Sequence, residues 1–199
     1  MVVLKTSGSA TDLLVADSTF GRIWKVSIET GAHSVWLDSP EMKHPLPYPE
    51  RWPFGINGLR YGTDGFLYFS NTNTRIIWRI KVRPDGSASS DEVEYVHEVC
   101  DAAALDNFAV DKDNRLWVTS NRDNKLILVE RQGSTWKSKV VLGGDTERVV
   151  AGDTAVAFGR PAHEASTLYV VTSGAHVAPV PPDNFTEPAK VVQVDVSGW

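Results

Sequence analysis

Four segments of this chain repeat one pattern, and the repeat constrains the fold more than any other feature. They read LLVADS from Leu13, FLYFSNT from Phe66, RLWVTSN from Arg115 and TLYVVTS from Thr167. Aligned on Leu14, Leu67, Leu116 and Leu168, the copies lie 53, 49 and 52 residues apart. Each run is apolar, β-branched or aromatic, and then turns polar. A second apolar run follows each one and ends at a turn glycine: Gly31, Gly86, Gly133 and Gly198. A period of about 40–50 residues built only from short strands is the mark of propeller blades.

Periodicity within the copies supports strands. Ile23-Trp24-Lys25-Val26 and Ile77-Trp78-Arg79-Ile80 alternate with period two, and helical spacing is nearly absent. Turn chemistry at Asp64-Gly65, Pro84-Asp85-Gly86 and Asp113-Asn114 punctuates the runs. Three copies carry a leading strand: INGLRY from Ile56, NFAVD from Asn107 and AVAFG from Ala155. The first copy has only Val2-Val3-Leu4 in that place. The expected fold class is therefore all-β, a β-propeller of four recognisable blades at about 1–40, 55–100, 105–143 and 153–199. These form one domain over 1–199, read as a truncated six-bladed parent.

Composition narrows the function classes. The net charge of −5 carries no basic patch, which argues against nucleic acid and anionic membranes as partners. No apolar run reaches membrane-spanning length and the first residues do not read as a secretory signal, so a cytoplasmic location is expected. The single cysteine, Cys100, is expected as a small buried hydrophobe. Histidines 33, 44, 97, 163 and 176 are scattered, without zinc spacing. No nucleophile elbow, phosphate loop or dinucleotide fingerprint occurs.

Gly55-Ile56-Asn57-Gly58-Leu59, Leu105-Asp106-Asn107-Phe108-Ala109-Val110-Asp111 and Thr154-Ala155-Val156-Ala157-Phe158-Gly159-Arg160, in this order and spacing, resemble the SMP-30/gluconolactonase/LRE-like propeller family. The resemblance implies one divalent cation, usually calcium, at the tunnel mouth of the lactone-hydrolysing members, with Asn57 and Asp106 as two of its ligands. Both are hard oxygen donors, as calcium or magnesium requires. The family's other two ligands, a glutamate in the first blade and an asparagine that would fall near Leu4, have no counterparts. Asn57 can equally serve as a turn residue before Gly58, and Asp106 as a cap on its strand. Asp17, Asp111 and Asp153 are read as structural.

Trp52 and Phe54, with Tyr48 nearby, lie in a proline-rich loop ahead of Asn57 and are expected to line a substrate pocket. Arg160 is expected to donate to an oxygen-rich ligand. Phe108 and Phe158 are expected in the core. The segments VADSTFGRIWKV, LYFSNT, AFGR and LYVVTSG are similar to ascomycete fungal members of the family, which include hetero-Diels–Alderases of natural-product pathways. That resemblance implies a small-molecule substrate and cycloaddition in an apolar tunnel without a cofactor, with Asn57, Asp106 and Arg160 as the catalytic set. The alternatives are a calcium-dependent gluconolactonase-like lactone hydrolase and a non-catalytic scaffold. A second copy of the chain is an expected partner, through an exposed terminal blade.

Overall fold

The computed structural model describes residues 1–4, 12–45 and 53–199. Its contacts divide into two compact units, Met1–Glu98 and Val99–Trp199. The first holds two antiparallel meanders. One is β1 (Val2–Leu4), β2 (Asp12–Asp17), β3 (Arg22–Ser27) and β4 (His33–Asp38), followed by a 3₁₀ turn at Pro40–Met42. The other is β5 (Ile56–Tyr61), β6 (Phe66–Asn71), β7 (Ile76–Lys81) and β8 (Glu94–Glu98).

The second unit holds β9 (Phe108–Val110), β10 (Leu116–Ser120), β11 (Lys125–Gln132) and β12 (Thr135–Gly143), then a sheet of β13 (Asp153–Phe158), β14 (Thr167–Thr172) and β15 (Val191–Asp195). Each expected leading strand forms, and Val2–Leu4 pairs with β2 as the first of them. Gly65 and Gly86 take φ of +79° and +83°, the left-handed backbone their turns need.

Alternation along the strands builds the cores. In the first unit Leu4, Leu14, Ile23 and Leu37 of one sheet pack with Leu59, Leu67, Phe69 and Ile80 of the other. In the second, Ala109, Trp117, Leu126 and Leu128 pack with Val156, Leu168 and Val170. Phe108 is fully buried, and Phe158 meets Trp117 edge to face with ring centroids 6.3 Å apart.

Two expectations are corrected. Cys100 is exposed, in the turn that opens the second unit. The repeat register also moves by one residue in the first copy. Asp17, Asn71 and Ser120 each end the second strand of their sheet, and the left-handed residues Gly21, Arg75 and Asn124 follow each by four. The residue matching Leu67, Leu116 and Leu168 is therefore Leu13, and Leu14 matches Tyr68, Trp117 and Tyr169. A slip of one residue exchanges the two faces of a strand. Alignment on a shared leucine could not detect it, because Leu13 and Leu14 are adjacent and both apolar.

Candidate functional site

The starts of the leading strands carry the candidate residues. Strand register places Asn57, Asp106 and Thr154 at equivalent points of their copies, one residue after Ile56, Leu105 and Asp153. In the first unit Asn57 is half-buried, and its Nδ2 donates to Thr72 Oγ1 at 3.1 Å. The Gly58 amide beside it donates to Ser70 Oγ at 2.9 Å. Behind this point the buried Asn71 donates to the carbonyls of Glu41 and Lys43 at 2.9 and 2.8 Å. Asn73 donates to the Phe54 carbonyl at 2.7 Å. Gly55 permits the fit: a Cβ there would stand 2.1 Å from the Met42 carbonyl oxygen.

Tyr48 and Trp52 lie outside the described residues. Phe54 is half-buried and adjoins the Asn57 segment.

In the second unit the Asp106 amide donates to the Thr119 carbonyl at 3.0 Å, and Thr119 returns its amide and hydroxyl to the Asn107 carbonyl at 3.0 and 2.9 Å. Asp106 is half-buried. Close by, Asp153 is completely buried. Its Oδ2 accepts the Ser120 amide at 3.2 Å, and its Oδ1 has no hydrogen-bond partner. Burial pushes the Asp153 carboxyl well above the usual carboxylate range, opposed by the Ser120 amide and reinforced by the charges of Asp123 and Asp106. Asp123 is differently placed: it accepts the Ala103 amide at 3.1 Å, pairs with Lys125 at 2.9 Å and is bonded by the Ser120 hydroxyl.

Asp153 thus departs from the structural role read for it. Asp17 and Asp111 keep that role, because each carboxylate is engaged by nearby amides and a tryptophan N–H. A signal for the difference existed in the repeat. Asp153 occupies the position held by apolar Ile56 and Leu105 in the neighbouring copies.

Arg160 is not brought to this end. Strands β9 and β13 run the same way, since Asp106 and Asp153 sit near one another at their starts. At their other ends Asp111, Arg115, Phe158 and Gly159 border a cleft of about 590 Å³. Arg160 follows β13 at that far end, exposed, and six strand residues separate it from Asp106, or about 20 Å.

A model of the SMP-30/Gluconolactonase/LRE-like region matches residues 54–174. The chain belongs to that family. The match covers all of β5 to β14, so Asn57, Asp106 and Asp153 fall within it. Among curated proteins none matches.

Solved structures that resemble the chain include a luciferin-regenerating enzyme, at 19% identity and a TM-score of 0.60, covering 94% of this chain and 61% of that one. Another is a calcium-binding protein, regucalcin, from Agrobacterium tumefaciens, at 15% identity and a TM-score of 0.57, covering 88% and 54%. A third is a putative gluconolactonase, at 17% identity and a TM-score of 0.52, covering 86% and 54%. This likeness shows the propeller fold, with the four sheets as blades. The chain spans little more than half the length of these structures.

Asn57 and Asp106 belong to different units, and the first offers one hard oxygen and the second at most two, where calcium takes six to eight ligands. Among the described residues no group of three or more His, Cys, Asp or Glu side chains gathers where an ion could sit. These side chains do not complete a cation shell.

Proposed function

We propose that this SMP-30-like chain acts on a small molecule at the starts of its leading strands, and that the reaction is a hetero-Diels–Alder-type cyclisation of polyketide- and terpene-derived partners. The observation that carries the reading is the makeup of the strand starts in the second unit. The half-buried Asp106 lies at one strand start, where its backbone amide donates to the Thr119 carbonyl, and the neighbouring Asp153 carboxyl is biased toward its neutral form. Such a set orients a substrate and hydrogen-bonds a carbonyl oxygen as charge grows on it. A cycloaddition asks for little else: two σ-bonds form from π-bonds and nothing leaves.

A second reading, lactone hydrolysis, is favoured by the same pair of carboxyls. A buried carboxyl that keeps its proton beside a second acid is what a general acid needs. The calcium-binding regucalcin it resembles points the same way, with Asp106 as an oxygen donor such an ion would use.

Asp106→Asn and Asn57→Ala separate the readings when assayed on a lactone and on a quinone methide–alkene pair. Cycloaddition that survives Asp106→Asn, with no lactone hydrolysis by the parent chain, supports the first reading. Hydrolysis by the parent that Asp106→Asn abolishes supports the second. A chain inert to both substrates is a binding propeller.

A further inference from the structure

Strand β5 carries one residue more than its partner, and the extra residue changes which side chains share a face. Ile56 and Leu59 are both fully buried in the first core, although residues three apart in a regular strand point to opposite faces. The register breaks between them. Ile56 stands opposite Asn71 and Leu59 opposite Phe69, so three steps on β5 answer two on β6. The bulge brings Asn57 and Arg60 to one face, that of Thr72, Ser70 and Tyr68. Asn57 meets Thr72 there, the Gly58 amide meets Ser70, and Arg60 stands opposite Tyr68. Asn57 and Arg60 are thus about two strand steps apart, or about 7 Å.

Arg60 is half-buried, and its Nη1 donates to the Leu59 carbonyl at 2.8 Å. The Gly62 amide donates to the Phe66 carbonyl, so by the alternation of antiparallel pairing the Leu59 carbonyl points away from β6. It points to the free edge of the sheet, where β5 is the outermost strand. The guanidinium therefore lies along that edge. Among the described residues no carboxylate pairs with it, and burial alone pulls its pKa below the usual arginine value. Its other nitrogens are not shut off from solvent.

The repeat does not ask for a charge at this point. Val2, Ala109 and Ala157 stand opposite Leu14, Trp117 and Tyr169 as Arg60 stands opposite Tyr68. A partly desolvated cation without a counter-charge is unfavourable, and an anion that fills its open donors offsets that cost.

We propose that Arg60 is a carboxylate-binding residue of the candidate site: the small molecule bound at the Asn57 end of β5 carries a carboxylate that lies against the Arg60 guanidinium. The inference rests on the reading that the strand starts bind a small molecule, and it adds that molecule's chemical class. A planar carboxylate takes two parallel N–H bonds from a guanidinium fork, a geometry that an ammonium does not offer. The interval to Asn57 is about the span of an aromatic ring, so one ring can place a polar group at Asn57 and a carboxylate at Arg60.

The probes are para-hydroxybenzoate and its methyl ester, the same ring with the charge removed. Each is titrated into the unaltered chain and followed by NMR shifts of the backbone amides and arginine side chains. The acid should bind at least about tenfold more tightly than the ester, and added salt should narrow the difference. Arg60→Gln should bring the two within about twofold, while Arg60→Lys should keep part of the preference. Equal binding of acid and ester by the unaltered chain would overturn the assignment without recourse to any variant. So would the absence of saturable binding by the acid up to its solubility limit, or a preference undiminished in a folded Arg60→Gln chain. The assay needs no turnover. A chain that fails to cyclise its substrates still shows the preference, and loss of the preference leaves the cyclisation reading untouched.

Discussion

Asp153 accepts the backbone amide of Ser120 on Oδ2 at 3.2 Å, while its Oδ1, equally buried, meets no donor. One amide does not compensate a carboxylate taken out of water. The folded protein therefore binds a proton at Asp153 that the unfolded chain, with a carboxyl pKa of about 3.9, has already released.

The sign of the pH effect follows. A group whose folded pKa is raised contributes stability that is fully present below about pH 3.9 and is lost as pH rises through the folded value. Asp153→Asn cannot titrate. Its melting temperature should lie near the parent's at about pH 4 and exceed it progressively as pH rises above that. Parallel curves over the whole range would count against a proton held at Asp153.

Asn71 closes the first unit through its side chain, holding the Glu41 and Lys43 carbonyls with Nδ2 and accepting the Asn73 and Thr74 amides on Oδ1 at 3.2 Å. Asn71→Ala removes the partner of four half-buried backbone groups, and those that water cannot reach cost about 1–3 kcal/mol each. Urea denaturation should show a loss of about 2–4 kcal/mol with little change in slope. A loss below about 0.5 kcal/mol would mean that water replaces the side chain.

Gly55→Ala should be costly although its backbone is not left-handed. The added methyl would stand 2.1 Å from the Met42 carbonyl oxygen, so the segment ahead of β5 must move off the 3₁₀ turn. Overpacking of this kind costs about 1–3 kcal/mol. Since Asn57 lies two residues on, turnover should fall together with melting temperature.

Tyr68 donates its phenol to Asp64 Oδ2 at 2.7 Å, and burial pushes its pKa up to about 12. Stability from this group is present below about pH 10, the unfolded value, and is lost as pH climbs through 12. Alkaline absorbance titration should lose its latest-ionising phenol in Tyr68→Phe. Loss of a component ionising near pH 10 instead would contradict the assignment.

Much of the fold was legible because it rests on local patterns. Alternating runs, turn glycines and the fifty-residue period locate the strands without tertiary information. The register of the first copy was not legible, since only the paired strand ends at Asp17, Asn71 and Ser120 reveal it. At the site, Asn57 and Asp106 could be named from their motifs, and the structure adds that they are repeat-equivalent. Arg160 could not be placed from spacing alone, because a six-residue strand carries it to the far end. Asp153 was legible only as a charged residue at an apolar repeat position. Its burial and unmatched oxygen depend on chain folded around it from Ser120 onward.

The central claim is that the strand starts around Asp106 work by hydrogen bonding and orientation, without a bound cation. Thermal unfolding under a calcium titration tests it most directly, because a ligand bound only by the native state must raise the melting temperature as its concentration exceeds the dissociation constant. The account predicts an unchanged melting temperature up to millimolar calcium. A saturable rise that Asp106→Asn abolishes would contradict it and establish the metal-dependent hydrolase.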